Sequence, residues 1–184
     1  MALTYTPDPE IGKSAPAFDL PGVDGRQHSF ASVAGKHGTL VMFICNHCPY
    51  VKSINERLVE DAKTLQAMGV GVIAIMSNDP TDYPEDSFEN MQQVATQFGY
   101  PFPYVIDETQ AVAKAYGAVC TPDFFGYDAA GKLVYRGRLD AAGAEPSRGD
   151  LKRDLVDAYR EFIDTGSMPA EQTPSMGCSI KWSA

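Results

Sequence analysis

Two short apolar segments limit the possible folds of this 184-residue chain more than any other feature of its sequence. The segments GTLVMFIC (38–45) and GVGVIAIM (69–76) are apolar throughout and contain β-branched residues, which is typical of strands buried on both faces of a sheet. Between them, apolar residues recur every three or four positions, as in an amphipathic helix of about 20 residues that begins at Pro49 and stops at Gly69. The sequence therefore predicts a right-handed β-α-β unit.

The remaining predicted elements surround this unit. In chain order they are a hairpin over 15–30, a helix over 87–99, a strand over 102–107, a helix over 108–118, a β-hairpin over 123–140 and a helix over 150–164. This order predicts an α/β fold with a mixed central β-sheet flanked by helices and an N-terminal β-hairpin extension. We expect a single domain, 1–184, with a core of roughly 11–163. In the tail, 164–184, Ile180 and Trp182 are expected to dock on that core.

The composition narrows the classes of function. The chain has 24 acidic and 15 basic residues and a formal charge of −9, and such an acidic surface repels nucleic acid. No apolar run approaches the roughly 18 residues that a membrane helix needs, and MALTYTPDPE (1–10) lacks the basic start and apolar core of a signal peptide. We therefore expect a cytoplasmic protein. Neither a glycine-rich phosphate loop nor a nucleotide fingerprint is present, so no cofactor is expected.

The segment VMFICNHCPYV (41–51) carries the chemistry. Cys45 closes the first predicted strand and Cys48 opens the helix, where free N–H groups and a partial positive charge stabilise a thiolate, the attacking form of cysteine. The C-x-x-C spacing lets one sulfur resolve a mixed disulfide on the other. His47 favours the thiolate when protonated and transfers protons when neutral; alternatively, it is a polar residue at an exposed turn. In a reducing compartment such a motif is redox-active or metal-binding rather than a structural disulfide.

These residues resemble the thioredoxin superfamily, in the group that contains the peroxiredoxins (alkyl hydroperoxide reductase and thiol-specific antioxidant proteins) and thioredoxin-like reductases. IGKSAPAFDLPGVDG (11–25) is similar to the opening of peroxiredoxins, and VMFICNHCPYV occupies the active-site position. GAVCTPDFFGYDAAGKLVYRGRLD (117–140) resembles the segment that holds a cis-proline facing that site. The motif CNHCPYV, together with GCSIKW (177–182), resembles a peroxiredoxin-like subgroup, and the resemblance covers nearly the whole chain.

The resemblance implies a role for individual residues. Aligned to thioredoxins, Cys45 is the attacking cysteine and Cys48 the resolving one; aligned to peroxiredoxins, Cys48 attacks the peroxide. Pro122 matches the cis-proline, and with Thr121 it docks an incoming peptide or thiol partner.

The chain departs from both the peroxiredoxin and the thioredoxin pattern, and these departures bear on whether Cys45 or Cys48 attacks. Cys45 stands where peroxiredoxins have a threonine or serine, and Val41 stands where they have a proline. Arg136 and Arg138 are candidates for the peroxiredoxin arginine. Thr39 occupies the approximate position of the buried acid of thioredoxins, and His47 is its expected substitute.

Two further cysteines are possible additional redox thiols. Cys120 precedes the Thr121–Pro122 segment, and is either a third thiol near the site or a small buried hydrophobic residue. Cys178 is either an extra resolving thiol or an ordinary tail cysteine. Together with Cys45, Cys48 and His47, these residues have donor atoms suited to zinc or copper(I), but their spacing is not a zinc-ribbon pattern and no metal is expected.

Three hypotheses follow. The first is a cytoplasmic thiol–disulfide oxidoreductase that acts on a protein or small-molecule disulfide and is served by a reducing system, with Cys45 attacking, Cys48 resolving and His47 tuning the thiolate. The second is a thiol-dependent peroxidase, an antioxidant enzyme, with Cys48 attacking peroxide. The third is a non-enzymatic metal-binding or redox-sensing module.

The acidic residues of 79–89 are interpreted as a solvated loop.

Overall fold

The computed structural model describes residues 2–184. Its strands are β1 (Leu3–Tyr5), β2 (Asp19–Pro21), β3 (Gln27–Ser29), β4 (Gly38–Phe43), β5 (Val70–Met76), β6 (Tyr104–Ile106), β7 (Cys120–Thr121), β8 (Asp123–Tyr127), β9 (Leu133–Arg136) and β10 (Met176–Ser179). Its helices are α1 (Phe30–Val33), α2 (Pro49–Lys52), α3 (Asn55–Ala67), α4 (Phe88–Phe98), α5 (Ala111–Tyr116) and α6 (Asp154–Thr165), with a 3-10 turn at Pro84–Asp86.

The central sheet has five strands in the order β6-β5-β4-β8-β9. β4 pairs in parallel with β5, and β5 with β6, whereas β8 and β9 complete the sheet antiparallel. β4 is buried along its whole length, as expected for a strand covered on both faces. The predicted mixed sheet and its β-α-β unit are confirmed, and β2 and β3 form the predicted N-terminal hairpin.

Alternate residues of the central strands face two separate apolar layers. On one face, Leu40 and Met42 of β4 belong to a cluster with Leu65 of α3 and Val156 of α6. On the other face, the cluster that contains Val41 and Phe43 includes residues of α5 and of the N-terminal segment. Because side chains alternate along a strand, each strand of the sheet contributes to both layers and is fixed in register.

The helix predicted from Pro49 to Gly69 is interrupted, and this part of the prediction is wrong. The Ile54 N–H donates to the Val51 carbonyl at 3.1 Å, a tighter bond than that of an α-helix, and α3 begins only at Asn55. The Asn55 side chain is buried, and its Oδ1 accepts a hydrogen bond of 2.7 Å from the Tyr100 hydroxyl. Apolar spacing alone does not detect a break that keeps the apolar side chains on the same face.

A separate, small three-stranded sheet, which the sequence did not predict, joins both ends of the chain to β7. It has the order β1-β10-β7, with both pairs antiparallel. Ile180 is buried and anchors the tail as predicted, but Trp182 is 43% exposed, so its predicted role as an anchor is wrong. Among residues 2–184, no helix combines the length and the apolar character needed to cross a bilayer.

Candidate active site

The C-x-x-C lies where the sequence predicted it, at the junction of β4 and α2. Cys45 follows the end of β4, and Cys48 is the N-cap residue of α2, with Pro49 in its first turn. The accessible fraction is 1% for Cys45 and 0% for Cys48. Both cysteines are free thiols, and they are covered by other parts of the chain.

A buried carboxylate, which the sequence interpretation missed, organises the loop between the two cysteines. Asp86 Oδ1 accepts hydrogen bonds from the backbone N–H groups of Asn46 (2.8 Å) and His47 (3.1 Å). Its Oδ2 pairs with His47 Nδ1 and accepts a 3.0 Å bond from Asn78 Nδ2. Asp86 is 0% exposed, so the interpretation of 79–89 as a solvated loop is wrong at this residue.

Sheet topology explains why an acid comes to lie here. β4 and β5 are parallel neighbours, and the carboxyl ends of parallel strands meet at one edge of the sheet. The loop after β5 therefore faces the loop after β4, which holds the C-x-x-C. The predicted β-α-β unit already implied this shared edge, which is the signal that could have identified the segment containing Asp86.

The Asp86 carboxylate stays ionised in this setting. Burial by itself raises the pKa of a carboxyl group, but the hydrogen bonds from His47, Asn78 and the Asn46 N–H outweigh it and lower the pKa of Asp86. His47 is buried too, against the alternative of an exposed turn residue, and its ring stacks on Tyr83 with centroids 4.5 Å apart. Thr39, the position compared with the thioredoxin acid, accepts a bond from the Gly35 N–H instead.

The Cys45 thiol has surroundings that keep it protonated. Its Sγ lies 3.8 Å from His47 Nδ1 and 3.4 Å from the Thr121 hydroxyl. Burial raises the pKa of Cys45 well above its usual value, and the hydrogen bond to Cys48 and the charge of Asp86 raise it further. The N–H groups that follow Cys45 donate to Asp86, so they do not stabilise a Cys45 thiolate.

The Cys48 sulfur, in contrast, is surrounded by donors. A hydrogen bond from the Cys45 thiol is the largest influence and lowers the pKa of Cys48 to about 4; burial opposes it, and the thiol and N–H of Cys178 assist it. The Thr121 carbonyl oxygen, 3.3 Å from Cys48 Sγ, is the contact that favours a protonated thiol. The pKa of Cys48 is lowered despite burial and this acceptor, so the site as a whole favours a Cys48 thiolate.

The Thr121–Pro122 peptide bond is cis. Thr121 stands between the two thiols, with its hydroxyl toward Cys45 and its carbonyl oxygen toward Cys48. Beside it, a cavity of about 260 Å³ is lined by apolar and small side chains, among them Tyr50, Ile54, Pro122, Phe124, Leu139 and Met176. The segment predicted to dock a partner therefore borders both the thiols and an apolar cleft.

The structure treats the two remaining cysteines differently. Cys178 is 2% exposed and lies opposite Thr121, whose carbonyl oxygen is 3.3 Å from the Cys48 sulfur. Cys120 is fully buried, and its thiol points at the Pro122 carbonyl oxygen at 3.5 Å. Burial, together with the charge of Asp123, raises the pKa of Cys120 above its usual value. The structure thus brings Cys178 to the dithiol and leaves Cys120 as a small buried side chain.

The two candidate arginines are engaged away from the thiols. Arg136 forms a buried ion pair with Asp123 at 2.9 Å and also donates to the Gly117 carbonyl. Arg138 pairs with Asp154, also at 2.9 Å. In the hydrogen bonds of residues 2–184, neither guanidinium group reaches Cys45 or Cys48.

Among residues 2–184, one set of side chains has metal-binding chemistry. Donor atoms of Cys45, His47 and Asp86 lie within 4.8 Å of one another, and all three residues are buried. This set includes Asp86 in place of the extra cysteines considered from the sequence. However, Asp86 already accepts four hydrogen bonds within the site, which accounts for its lone pairs without an ion.

Comparison with known proteins finds the same fold elsewhere. A crystal structure of an uncharacterized conserved protein from Geobacillus kaustophilus is similar over 100% of this chain and 97% of that one, with 45% identity and a TM-score of 0.93. The thioredoxin domain of a thiol-disulfide oxidoreductase from Bacteroides vulgatus shares the fold at 19% identity, with a TM-score of 0.63 over 85% of this chain and 99% of that one.

A curated relative is similar in sequence as well. Thiol-disulfide oxidoreductase ResA of Geobacillus thermodenitrificans (strain NG80-2) is 30% identical over 123 residues, which make up 67% of this chain and 66% of that protein. The match thus spans just under two thirds of the length of that relative.

The fold, with its buried dithiol opposite a cis-proline, defines a class, the proteins of thioredoxin-like fold. Within that class the family is also clear. Residues 11–136 match the AhpC/TSA family, and the chain belongs to it. The resemblance noted in the sequence is confirmed at this level.

Proposed function

We propose that this protein carries out thiol–disulfide exchange with Cys48 as the attacking thiolate and Cys45 as the resolving thiol. This assignment reverses the roles that the thioredoxin alignment gave to the two cysteines. One observation carries it: the backbone N–H groups of Asn46 and His47 donate to Asp86, whose carboxylate lies within 4.8 Å of Cys45 Sγ, whereas the pKa of Cys48 is lowered to about 4. The negative charge is therefore stabilised at Cys48 and opposed at Cys45.

The reaction proceeds in two exchanges. The Cys48 thiolate attacks one sulfur of a substrate disulfide, the substrate S–S bond breaks, and one substrate thiolate leaves from the mixed disulfide. Cys45 then loses its proton and attacks the Cys48 sulfur, which releases the second substrate thiolate and leaves a Cys45–Cys48 disulfide. The substrate gains two electrons and the dithiol loses them. A thiol-type reducing system then restores the dithiol.

His47 and Asp86 are proposed to serve the second exchange. His47 Nδ1 lies 3.8 Å from Cys45 Sγ and shares a proton with the ionised Asp86. Because Nδ1 is the donor in that pair, the ionised carboxylate of Asp86, which has an oxygen within 4.8 Å of Cys45 Sγ, is the proton acceptor near the thiol whose pKa is raised, and this is the thiol that has to lose its proton. The apolar cleft beside Pro122 supports docking of a disulfide partner at the Thr121–Pro122 segment.

Rapid mixing with a chromogenic aromatic disulfide tests which sulfur attacks. We expect Cys48→Ser to lose the first release of thiolate and Cys45→Ser to retain it, whereas Cys120→Ser, the matched control, behaves as the wild type. If Cys45→Ser loses the first release and Cys48→Ser retains it, the assignment is wrong. The cytoplasmic location stays a prediction, and cell fractionation tests it.

A peroxidase is the second candidate, because a Cys48 thiolate followed by Pro49 matches the peroxiredoxin arrangement. Two features weigh against efficient peroxide reduction. Cys45 replaces the expected hydroxyl residue, and the side chains of Arg136 and Arg138 are paired with acids elsewhere. We expect Cys48 to react with hydrogen peroxide about as slowly as a free thiolate. Competition kinetics against a free thiol measure this rate, and a rate several orders of magnitude faster would favour the peroxidase.

A further inference from the structure

The strand β10 occupies the edge of the segment that precedes the cis-proline. It runs antiparallel to β7, with Cys178 opposite Thr121 and Ser179 opposite Cys120. On its other side, β10 pairs with β1, where Leu3 lies opposite Cys178. The tail thus lies, as an extended strand, across the segment to which an incoming partner is expected to dock.

The approach of β10 to this segment is unusually close. A Cβ atom on Gly177 would lie 1.9 Å from the Thr121 carbonyl oxygen and 2.6 Å from its carbonyl carbon, so only glycine fits at this position. The residue that follows is Cys178, which lies opposite Thr121 and packs in the same buried cluster as Cys48. Gly177 therefore permits the contact that brings the third thiol to the dithiol.

Polar contacts hold the tail in this position on both sides of Cys178. Before it, the Ser175 hydroxyl donates to the Pro122 carbonyl at 2.9 Å. After it, the Lys181 N–H donates to Asn78 Oδ1 at 2.9 Å, and Asn78 in turn donates to Asp86. The tail is thereby connected to the same network that organises the C-x-x-C loop.

We propose that β10 acts as an internal substrate strand and that Cys178 is a third redox thiol, which forms a disulfide with Cys48 in competition with Cys45. This proposal rests on the proposed function, in which Cys48 is the attacking sulfur. Cys178 lies opposite Thr121, whose carbonyl oxygen is 3.3 Å from the Cys48 sulfur, and Cys45 Sγ lies 3.4 Å from the Thr121 hydroxyl, so both thiols border Cys48 in one buried cluster. The two internal disulfides share Cys48, so they exclude each other.

The exchange balances with an external disulfide as the oxidant. After Cys48 has taken up one half of the external disulfide, the Cys178 thiolate attacks the Cys48 sulfur, its proton passes to solvent, and the second half leaves as a thiolate. Attack by Cys45 on Cys48 then releases Cys178 and moves the disulfide to Cys45–Cys48. While the Cys48–Cys178 bond exists, β10 is covalently fixed over the site, and a new partner has no access to Thr121.

Oxidation of the full-length reduced protein with excess oxidised glutathione tests the proposal, with thiol release and peptide mapping as readouts. We expect about two equivalents of glutathione from Cys45→Ser, with a mapped Cys48–Cys178 disulfide, and about two from Cys178→Ser, with Cys45–Cys48. The double variant should stop at about one equivalent, with glutathione on Cys48. Cys120→Ser should behave as the wild type.

The outcomes separate the two proposals. If the double variant releases no glutathione, Cys48 is not the attacking sulfur, and the proposed function fails. If Cys45→Ser stops at one equivalent with glutathione on Cys48 and a free Cys178, the proposed function stands and the role of Cys178 is overturned. Should Cys45→Ser fail to fold, the same mapping on the wild type decides, because the Cys48–Cys178 peptide is expected among its products.

The route through β10 is tested separately with Gly177→Ala in the Cys45→Ser background. Displacement of the strand should slow the release of the second equivalent by about tenfold or more. The matched control is Gly149→Ala, where an added Cβ meets no atom within 4 Å. An unchanged rate in Gly177→Ala would show that Cys178 does not reach Cys48 from the paired β10 strand.

Discussion

The thiols of Cys45 and Cys178 both contact Cys48, but they are held by different kinds of structure. Cys45 belongs to a short loop that is fixed by a buried carboxylate and its hydrogen bonds, whereas Cys178 is carried by a strand from the far end of the chain. The first thiol is held by local geometry and charge. The second depends on long-range pairing and on one glycine that permits close approach. The Cys48 sulfur thus has two neighbouring thiols. Cys45 is held in a fixed loop, and Cys178 is carried by a detachable strand.

The largest effect that we predict is that of removing the Cys48 sulfur, because this change removes disulfide formation with both Cys45 and Cys178. Cys48→Ser should reduce disulfide-exchange activity by about a thousandfold or more, since no other thiol combines donors with a lowered pKa. Insulin reduction under steady-state conditions measures this loss. Retention of more than a tenth of the activity in Cys48→Ser would mean that Cys45 or Cys178 attacks by itself.

The second prediction concerns the effect of the Cys48 thiolate on the stability of the reduced protein. The pKa of Cys48 is lowered to about 4 from 9.0, so between these values the unfolded chain binds one more proton than the native reduced protein. Stability of the reduced protein should therefore increase with pH from about 4 to 9, and the gain is lost as the pH falls through 4.

Urea unfolding of the wild type and of Cys48→Ser at several pH values measures this contribution as a difference. Burial raises the pKa of Asp61 to about 6, so Asp61 makes the stability decrease with rising pH over its own range. This contribution is the same in the two proteins and cancels in the difference. Absorbance at 240 nm should also show a thiolate in the wild type at pH 6 that is absent in Cys48→Ser. A difference in stability that does not change with pH would place the charge elsewhere.

The hydrogen-bond network that fixes the Cys45 loop can be disrupted by removing its carboxylate, Asp86. Asp86→Ala leaves the buried N–H groups of Asn46 and His47 without their acceptor, and it should lower the free energy of unfolding by about 3 kcal/mol. Asp82→Ala is the matched control, because Asp82 is exposed in the same loop and should change stability by less than about 0.5 kcal/mol. Equal effects of the two substitutions would contradict the network described for the loop.

The pairing of β10 that places Cys178 beside the dithiol can be disrupted by a substitution at Gly177. Gly177→Ala should lower the free energy of unfolding of the reduced protein by about 1–3 kcal/mol, since the strand has to move away from Thr121. Limited proteolysis should at the same time cut the tail faster, which separates a loosened strand from general destabilisation. Gly149→Ala serves again as the control, and an effect as large as that of Gly177→Ala would show that the close contact does not matter.

The smallest effect is expected at Trp182. Its ring is 43% exposed and is approached by the Lys114 amine at 5.6 Å, so Trp182→Ala should cost about 0.5–1 kcal/mol. Ile180→Ala, which removes a buried side chain of the same tail, should cost about 2–4 kcal/mol. Equal losses, measured by urea unfolding, would mean that Trp182 anchors the tail after all.

The parts of this molecule that were predictable from sequence are those in which the signal is local. The apolar runs of β4 and β5, the position of Cys45 and Cys48, and the capping of α4 by Ser87 depend on neighbouring residues. Asp86 was missed because an acid in a loop is ordinarily solvated, and only the parallel pairing of β4 with β5 brings it under cover.

The small sheet was missed for a related reason. β1 and β10 have only three and four residues, and β10 contains a glycine, so neither has the alternation that marks a strand. Their pairing joins the two ends of the chain, and no spacing in the sequence encodes it. The contact between Cys178 and Cys48 was therefore a hypothesis from composition, whereas the geometry that supports it comes from the fold.

The order of synthesis gives this small sheet a further consequence. The segment with Cys45 and Cys48 leaves the ribosome long before Met176–Ser179, by on the order of ten seconds at ordinary rates of translation. During that interval β4 and β5 are able to pair, but the strand that covers the dithiol does not yet exist. The nascent chain therefore passes through a stage in which a disulfide on Cys48 is resolved by Cys45 alone, and the arrival of β10 adds Cys178 as the competing thiol.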